Sequence, residues 1–163
     1  MKKGKIEYTV EEAIELWNRN IPSLNAKLEK VFGIETFKPK NIMNLVKTFQ
    51  DALDIYLQTN TLPPFKKYIL EYDGDDPDAL NTQAYEKLKI IVKVTNQGLV
   101  PDWANTSQRK WYPWFYMSPF AFDGTCCVAS GTCGASRLCV HSEELAIYLG
   151  ETFTDIYEIY YSK

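Results

Sequence analysis

Apolar residues recur every three or four positions along much of the chain, which is the spacing of an amphipathic helix. Such stretches begin at four places before residue 100: after Thr9, after Ser23, at Ile42 and at Leu80. Capping-box spacing, which is typical of a helix start, occurs at Thr9 and Glu12 and again inside the third stretch, at Thr48 and Asp51. We therefore expect two helices there, meeting near Lys47.

The clearest helical periodicity lies at the C-terminus. Ser142 is placed to cap it, and the apolar positions that follow are Leu145, Leu149, Phe153, Ile156 and Tyr160. The pattern predicts one continuous helix to the end of the chain. Gly150 in its middle costs about 1 kcal/mol against alanine, so we expect close packing at that position.

Between these helices the pattern changes to that of extended chain. Trp111–Met117 is rich in aromatic residues that favour strands, and Pro113 requires a sheet edge or a bulge. Phe120–Phe122 alternates and predicts a second extended piece. The small, glycine-bearing stretch Asp123–Ser136 predicts a loop or a wide hairpin tip, and Arg137–Val140 a short strand.

Helices followed by strands and a last helix are typical of the α+β class. We expect a helical N-terminal part packed on a small antiparallel β-hairpin, which the C-terminal helix closes. The chain has 163 residues, enough for one domain with a hydrophobic core.

Charge and hydropathy narrow the range of partners. Acidic residues outnumber basic ones by 21 to 18, and the formal net charge is −3, so we expect no nucleic-acid partner. No apolar run approaches the roughly 20 residues of a membrane span, so we expect no membrane partner. These features predict a soluble cytoplasmic protein with reduced cysteines.

The aromatic block is the first candidate site. Rings that face solvent would form a binding surface for a protein partner, for self-association or for a carbohydrate. The candidate residues are Trp111, Tyr112, Trp114, Tyr116 and Phe120. In the alternative interpretation, half of the block faces the core and Pro113 protects the edge.

A cysteine-rich segment is the second candidate site. Zinc prefers cysteine and histidine ligands, and five such residues lie close together in sequence: Cys126, Cys127, Cys133, Cys139 and His141. They lack Cys-x-x-Cys spacing, which counts against a zinc site. A disulfide from Cys126 or Cys127 to Cys133 is a second interpretation, and small half-buried hairpin residues a third. No other cofactor is expected.

Local motifs for catalysis are missing from the sequence. It contains no nucleophile elbow, P-loop, dinucleotide fingerprint or His-Glu-x-x-His pattern. The chain therefore predicts a non-enzymatic interaction or structural protein acting through the aromatic hairpin or the loop. The alternative function is a metal- or thiol-dependent site in the cysteine-rich segment.

The C-terminal two-thirds of the chain resembles a group of small uncharacterised proteins from gut bacteria and their phages. The resemblance is carried by Trp-Tyr-Pro-Trp-Phe at 111–115, Ser-Arg-Leu-Cys at 136–139 and Ser-Glu-Glu-Leu-Ala at 142–146. It covers 47–163 and leaves 1–46 as an N-terminal helical extension of a single domain, 1–163. It implies a phage-related accessory role, in the host cell cytoplasm or in the phage particle, and supplies no catalytic residue.

This chain departs from that group at the candidate metal ligands. The similar proteins tend to have an aromatic residue and a lysine where Val140 and His141 stand. They tend toward Tyr, Asp and Ser where this chain has Cys126, Cys127 and Cys133. A metal site here would therefore be specific to this protein.

Overall fold

The structure, a computed structural model, describes residues 8–17, 21–33, 41–131 and 137–162. By its internal contacts the chain divides into two compact units, residues 1–40 and 41–163. That residues 1–163 form a single domain, with residues 1–46 as its N-terminal extension, stays a prediction.

The N-terminal unit contains a pair of helices, α1 (Val10–Trp17) and α2 (Pro22–Phe32). They pack through the buried residues Ala13 and Leu28. The predicted capping box at the start of α1 is formed, because the backbone N–H of Thr9 donates to the Glu12 carboxylate at 2.9 Å and the Glu12 N–H donates to the Thr9 hydroxyl at 3.2 Å.

Four helices open the larger unit: α3 (Ile42–Leu45), α4 (Phe49–Leu57), α5 (Pro64–Leu70) and α6 (Pro77–Thr95). The predicted break near Lys47 is confirmed, and Thr48 and Asp51 form the capping box that begins α4. The long helix α6 is the centre of this unit, with Leu88 and Ile91 fully buried.

Two antiparallel strands, β1 (Lys110–Met117) and β2 (Phe120–Val128), form the hairpin. A register shift after Trp114 leaves Asp123 as an extra residue in β2, which makes a β-bulge. The prediction of a loop from residue 123 was wrong over Asp123–Val128. The chain continues there as strand because each residue from Gly124 onward has a partner in β1.

Beyond the hairpin, the predicted strand Arg137–Val140 is reduced to a single bridge. Val140 and Trp111 exchange both backbone hydrogen bonds, at 2.7 and 2.9 Å. The backbone N–H and C=O of Trp111 therefore point away from β2. Because these backbone groups alternate in direction along a strand, the backbone nitrogen of Pro113, two residues later, also points away from β2. The missing N–H of Pro113 therefore costs the β1–β2 ladder nothing.

The C-terminal segment folds as two helices, α7 (Glu143–Thr152) and α8 (Thr154–Ser162), so the prediction of one continuous helix was wrong. The break falls at Phe153, whose backbone leaves the helical region at φ −119° and ψ 27°. The Thr154 hydroxyl donates to the Gly150 carbonyl, which satisfies an acceptor left at the end of α7. Ser142 caps α7 as predicted, accepting from the Leu145 N–H at 3.3 Å.

The α+β class is confirmed, with α7 and α8 packed on the hairpin. The core of the larger unit joins α6, α7, α8 and the hairpin through buried residues such as Leu88, Phe115, Leu149 and Tyr157. Among the described residues, no helix combines the length and apolarity that crossing a membrane requires.

Candidate functional site

The hairpin separates the aromatic block into two faces, because successive side chains of a strand point to opposite sides. Trp111, Pro113 and Phe115 share the face that packs on α7 and α8, which we name the inner face. Tyr112 and Trp114 lie on the opposite, outer face.

Phe115 is the centre of the inner face. It is 8% exposed, and its ring centroid lies 4.9 Å from that of Tyr157 on α8, 5.0 Å from Phe120 and 5.9 Å from Phe122. Gly150 of α7 approaches the same face so closely that an added Cβ would overlap the Phe122 ring. These rings therefore hold the helices against the hairpin.

The outer face is exposed toward the hairpin turn. Trp114 is 52% exposed and Tyr116 is 60% exposed. We call these two residues the exposed aromatic surface. Trp114 pairs across the strands with Gly124, which has φ +144° and no side chain, so the indole has an open backbone beside it.

Tyr116 is oriented by an acidic neighbour. Its phenol hydrogen-bonds the carboxylate of Asp123, the extra residue of the bulge, and this bond together with the negative charge raises the pKa of Tyr116. The phenol is therefore the donor in this pair. One polar contact thus fixes a ring that solvent otherwise surrounds.

The predicted binding residues separate accordingly. Trp114 and Tyr116 are exposed on the outer face, whereas Tyr112 is buried at 5% exposure. Trp111 and Phe120 are half-buried and pack against the core. The structure thus brings all five into one hairpin, but only two of them present their rings to solvent.

The buried end of the outer face contains a residue that the sequence reasoning did not single out. Lys110 is 1% exposed. Its ammonium donates to the carbonyls of Asn105 and Ala129 at 3.0 and 2.7 Å and lies 5.3 Å from the centre of the Trp103 ring. The sequence signal that could have identified Lys110 is a lysine directly before an aromatic strand.

The candidate metal ligands are distributed over different surroundings. Cys126 pairs with Tyr112 on the outer face, and Cys127 pairs with Trp111 on the inner face. Adjacent strand residues point in opposite directions, so Cys126 and Cys127 do not converge on one ion. Neither they nor Cys139 is in a disulfide.

Cys139 is 2% exposed, and burial raises the pKa of its thiol despite the nearby charge of Lys110. A protonated thiol is a poor metal ligand and a poor nucleophile. Cys133 lies outside the described residues. Within the described ranges, no group of three or more His, Cys, Asp or Glu side chains is arranged to hold a metal ion.

His141 is exposed and tied to the end of α6. Its backbone N–H donates to Asn96 Oδ1 at 3.2 Å, and its ring Nδ1 lies 3.1 Å from the same oxygen. Asn96 Nδ2 donates to the carbonyl of Cys139 at 2.9 Å, which fixes the amide orientation. Nδ1 therefore carries the proton, and Asn96 fastens the segment 139–141 to α6.

Comparisons with known proteins add no identity to this geometry. No protein-family model, no curated protein and no solved structure matches the chain.

Proposed function

We propose that this chain is a non-enzymatic binding protein that captures a protein partner through the exposed aromatic surface, Trp114 and Tyr116. The observation that supports the proposal is the exposure of these rings on a hairpin whose other face is buried. Because the inner face already anchors the hairpin, the outer rings are not needed to hold the fold together.

Composition favours a protein as the partner. Tryptophan, tyrosine and methionine are enriched in protein–protein interfaces, whereas Lys, Glu and Asp are depleted. The twelve residues 111–122 contain no charged side chain in a chain that is 24% charged. The Tyr116–Asp123 pair supplies a polar rim beside this uncharged surface.

A phage or prophage origin belongs to the same proposal. Its support is the resemblance over residues 47–163, which includes the Trp-Tyr-Pro-Trp-Phe run at 111–115. An accessory protein that acts by docking needs no catalytic group. The proposed binding surface and the resemblance that supports a phage origin thus lie in the same segment of the chain.

The test uses a photo-crosslinking amino acid at position 114, with the same amino acid at Tyr68 as control. Tyr68 on α5 is 72% exposed and lies outside the proposed surface. We expect crosslinks from position 114 to one recurring protein and none of that protein from position 68. A second copy of this chain as the crosslinked product would make the partner the protein itself.

The captured protein is then purified and titrated against two double variants. Trp114→Ala with Tyr116→Ala should weaken binding at least about 30-fold, the equivalent of one hot spot of about 2 kcal/mol. Phe65→Ala with Tyr68→Ala, which removes two exposed rings from α5, should leave the affinity unchanged. Equal weakening by both pairs, or no recurring crosslink, would contradict the proposal.

A further inference from the structure

A cleft of about 550 Å³ opens beside α6 in the larger unit, away from the residues of the exposed aromatic surface. One side is formed by α5 and α6, and the other by the chain that follows α6, from Gly98 to Trp103. The volume lies in the range of pockets that hold small molecules, about 300–1,000 Å³.

Basic side chains from three parts of the chain converge on this cleft. They are Lys66 of α5, Lys89 and Lys93 of α6, and Arg137 before the Val140 bridge. No acidic residue is among the described residues that line it. The cleft is thus strongly basic in a chain whose net charge is −3.

Two of these lysines are held in place by one buried carboxylate. Glu86 lies 3.3 Å from the Lys66 ammonium and also pairs with Lys89. Burial raises the pKa of Glu86, but the hydrogen bond and charge of Lys89, with those of Lys66, lower it below its ordinary value overall. The pair of lysines therefore keeps an excess positive charge, and each ammonium has further donors to offer.

Lys93 is positioned separately. It donates to Asn60 Oδ1 at 2.8 Å and lies 4.9 Å from the centre of the Tyr56 ring, two neutral partners that leave its charge uncompensated. Lys89 and Lys93 are four residues apart on α6, so they rise about 6 Å along the same side of the helix. That spacing suits an anion with more than one charged group.

The facing wall is apolar and exposed. Leu99 is 56% exposed and Val100 is 79% exposed, next to Pro101 and the Trp103 ring. Large aliphatic side chains at such exposure beside a basic wall fit a molecule that is anionic at one end and apolar or planar at the other.

We propose that this cleft binds a small organic phosphate, with its phosphate groups on Lys66, Lys89, Lys93 and Arg137 and its apolar or planar part on Leu99, Val100 and Trp103. This site is separate from the protein-docking function of the hairpin. The volume favours a small molecule over a polymer, and the four cations favour phosphate over a single carboxylate.

The test titrates three probes into the full-length protein at low salt: ADP, 1-naphthyl phosphate and pyrophosphate. Calorimetry gives the affinities, and the indole N–H resonance of Trp103 reports contact with the apolar wall. At least one ring-bearing phosphate should bind and shift that resonance. It should bind at least about tenfold more tightly than pyrophosphate, which has the charge but no apolar part.

Matched variants distinguish binding in the cleft from a general effect of removing positive charge. Lys89→Gln with Lys93→Gln should weaken the ring-bearing phosphate at least about tenfold. Lys67→Gln is the control, because Lys67 neighbours Lys66 on α5 but pairs with Glu71 and does not line the cleft. Failure of both ring-bearing probes to bind, pyrophosphate binding equally well, or equal weakening in the Lys67 variant would overturn the proposal. The double variant Trp114→Ala with Tyr116→Ala should change neither the phosphate affinities nor the response of the Trp103 resonance.

Discussion

The inner and outer faces of the hairpin are made from the same run of aromatic residues, but the inner face packs in the core and the outer face exposes rings to solvent. On the inner face, Phe115 is buried among four other aromatic rings, those of Phe120, Phe122, Tyr157 and Tyr161. On the outer face, its two sequence neighbours Trp114 and Tyr116 are 52% and 60% exposed. Aromatic content alone therefore does not distinguish a core strand from a binding strand, whereas alternation and the position of the packed helices do.

The outer face is itself divided. Lys110 and Tyr112 are buried near the start of β1, and the rings become exposed only from Trp114 onward. The exposed stretch coincides with the β-bulge at Asp123, which bends a strand locally. A hairpin can thus be anchored at one end and offer rings to a partner at the other.

Phe115→Ala should have the largest effect on stability. Removing a buried phenyl ring leaves a cavity and costs about 3–5 kcal/mol in the free energy of unfolding. Phe65→Ala is the control, because Phe65 on α5 is 71% exposed and its loss should stay within about 0.5 kcal/mol. Urea denaturation followed by circular dichroism measures both, and a loss below about 1 kcal/mol for Phe115→Ala would place that ring outside the core.

Gly150→Ala should destabilise the protein by about 1–3 kcal/mol, because the new methyl group would overlap the Phe122 ring. The overlap outweighs the helix propensity, which favours alanine over glycine by about 1 kcal/mol. Combining the change with Phe122→Leu should recover part of the loss. Thermal and urea denaturation of the two single variants and the double variant give the coupling, and strict additivity would argue against the contact.

Lys110→Met tests the buried end of the outer face. The substitution keeps most of the length of the side chain but leaves the Asn105 and Ala129 carbonyls without their donor, at a cost of about 1–3 kcal/mol. Lys67→Met, at a side chain 65% exposed, should change the free energy of unfolding by less than about 0.5 kcal/mol. Equal stabilities for the two variants would mean that Lys110 does not fasten the preceding loop to β2.

The smallest expected effect is on the titration of Tyr116. Asp123→Asn removes the carboxylate that raises the pKa of Tyr116, so the phenol should titrate at lower pH, closer to its ordinary value. Since the folded-state pKa is raised, the interaction contributes stability below about pH 10, and this contribution is lost as pH rises through the folded-state value. NMR titration of the ring measures the shift, and Asp54→Asn on α4 should leave it unchanged. An unchanged pKa in Asp123→Asn would show that the pair is not formed.

Local patterns predicted most of the secondary structure. The capping boxes at Thr9 and Thr48 and the aromatic strand from Trp111 depend on neighbours in sequence, and the structure contains all three. The length of β2 was missed because Thr-Cys-Cys-Val after Gly124 resembles a loop, and only its pairing with β1 makes it a strand. The break at Phe153 was missed because its apolar side chain keeps the helical period while the backbone leaves the helix.

The sites were less predictable than the elements. Alternation along β1 separates two faces, but the sequence does not say which face α7 and α8 cover. The basic cleft joins Lys66, the helical neighbours Lys89 and Lys93, and Arg137, and these three parts of the chain meet only in the folded structure. The cysteines were the opposite case, because closeness in sequence did not bring Cys126 and Cys127 together.

The central claim is that the outer rings are dispensable for folding, and the stability of the double variant Trp114→Ala with Tyr116→Ala tests it most directly. Urea denaturation of this variant should give a free energy of unfolding within about 1 kcal/mol of the unmodified chain, because both rings are already largely in water. A loss above about 3 kcal/mol, the range of a buried aromatic residue, would contradict the account.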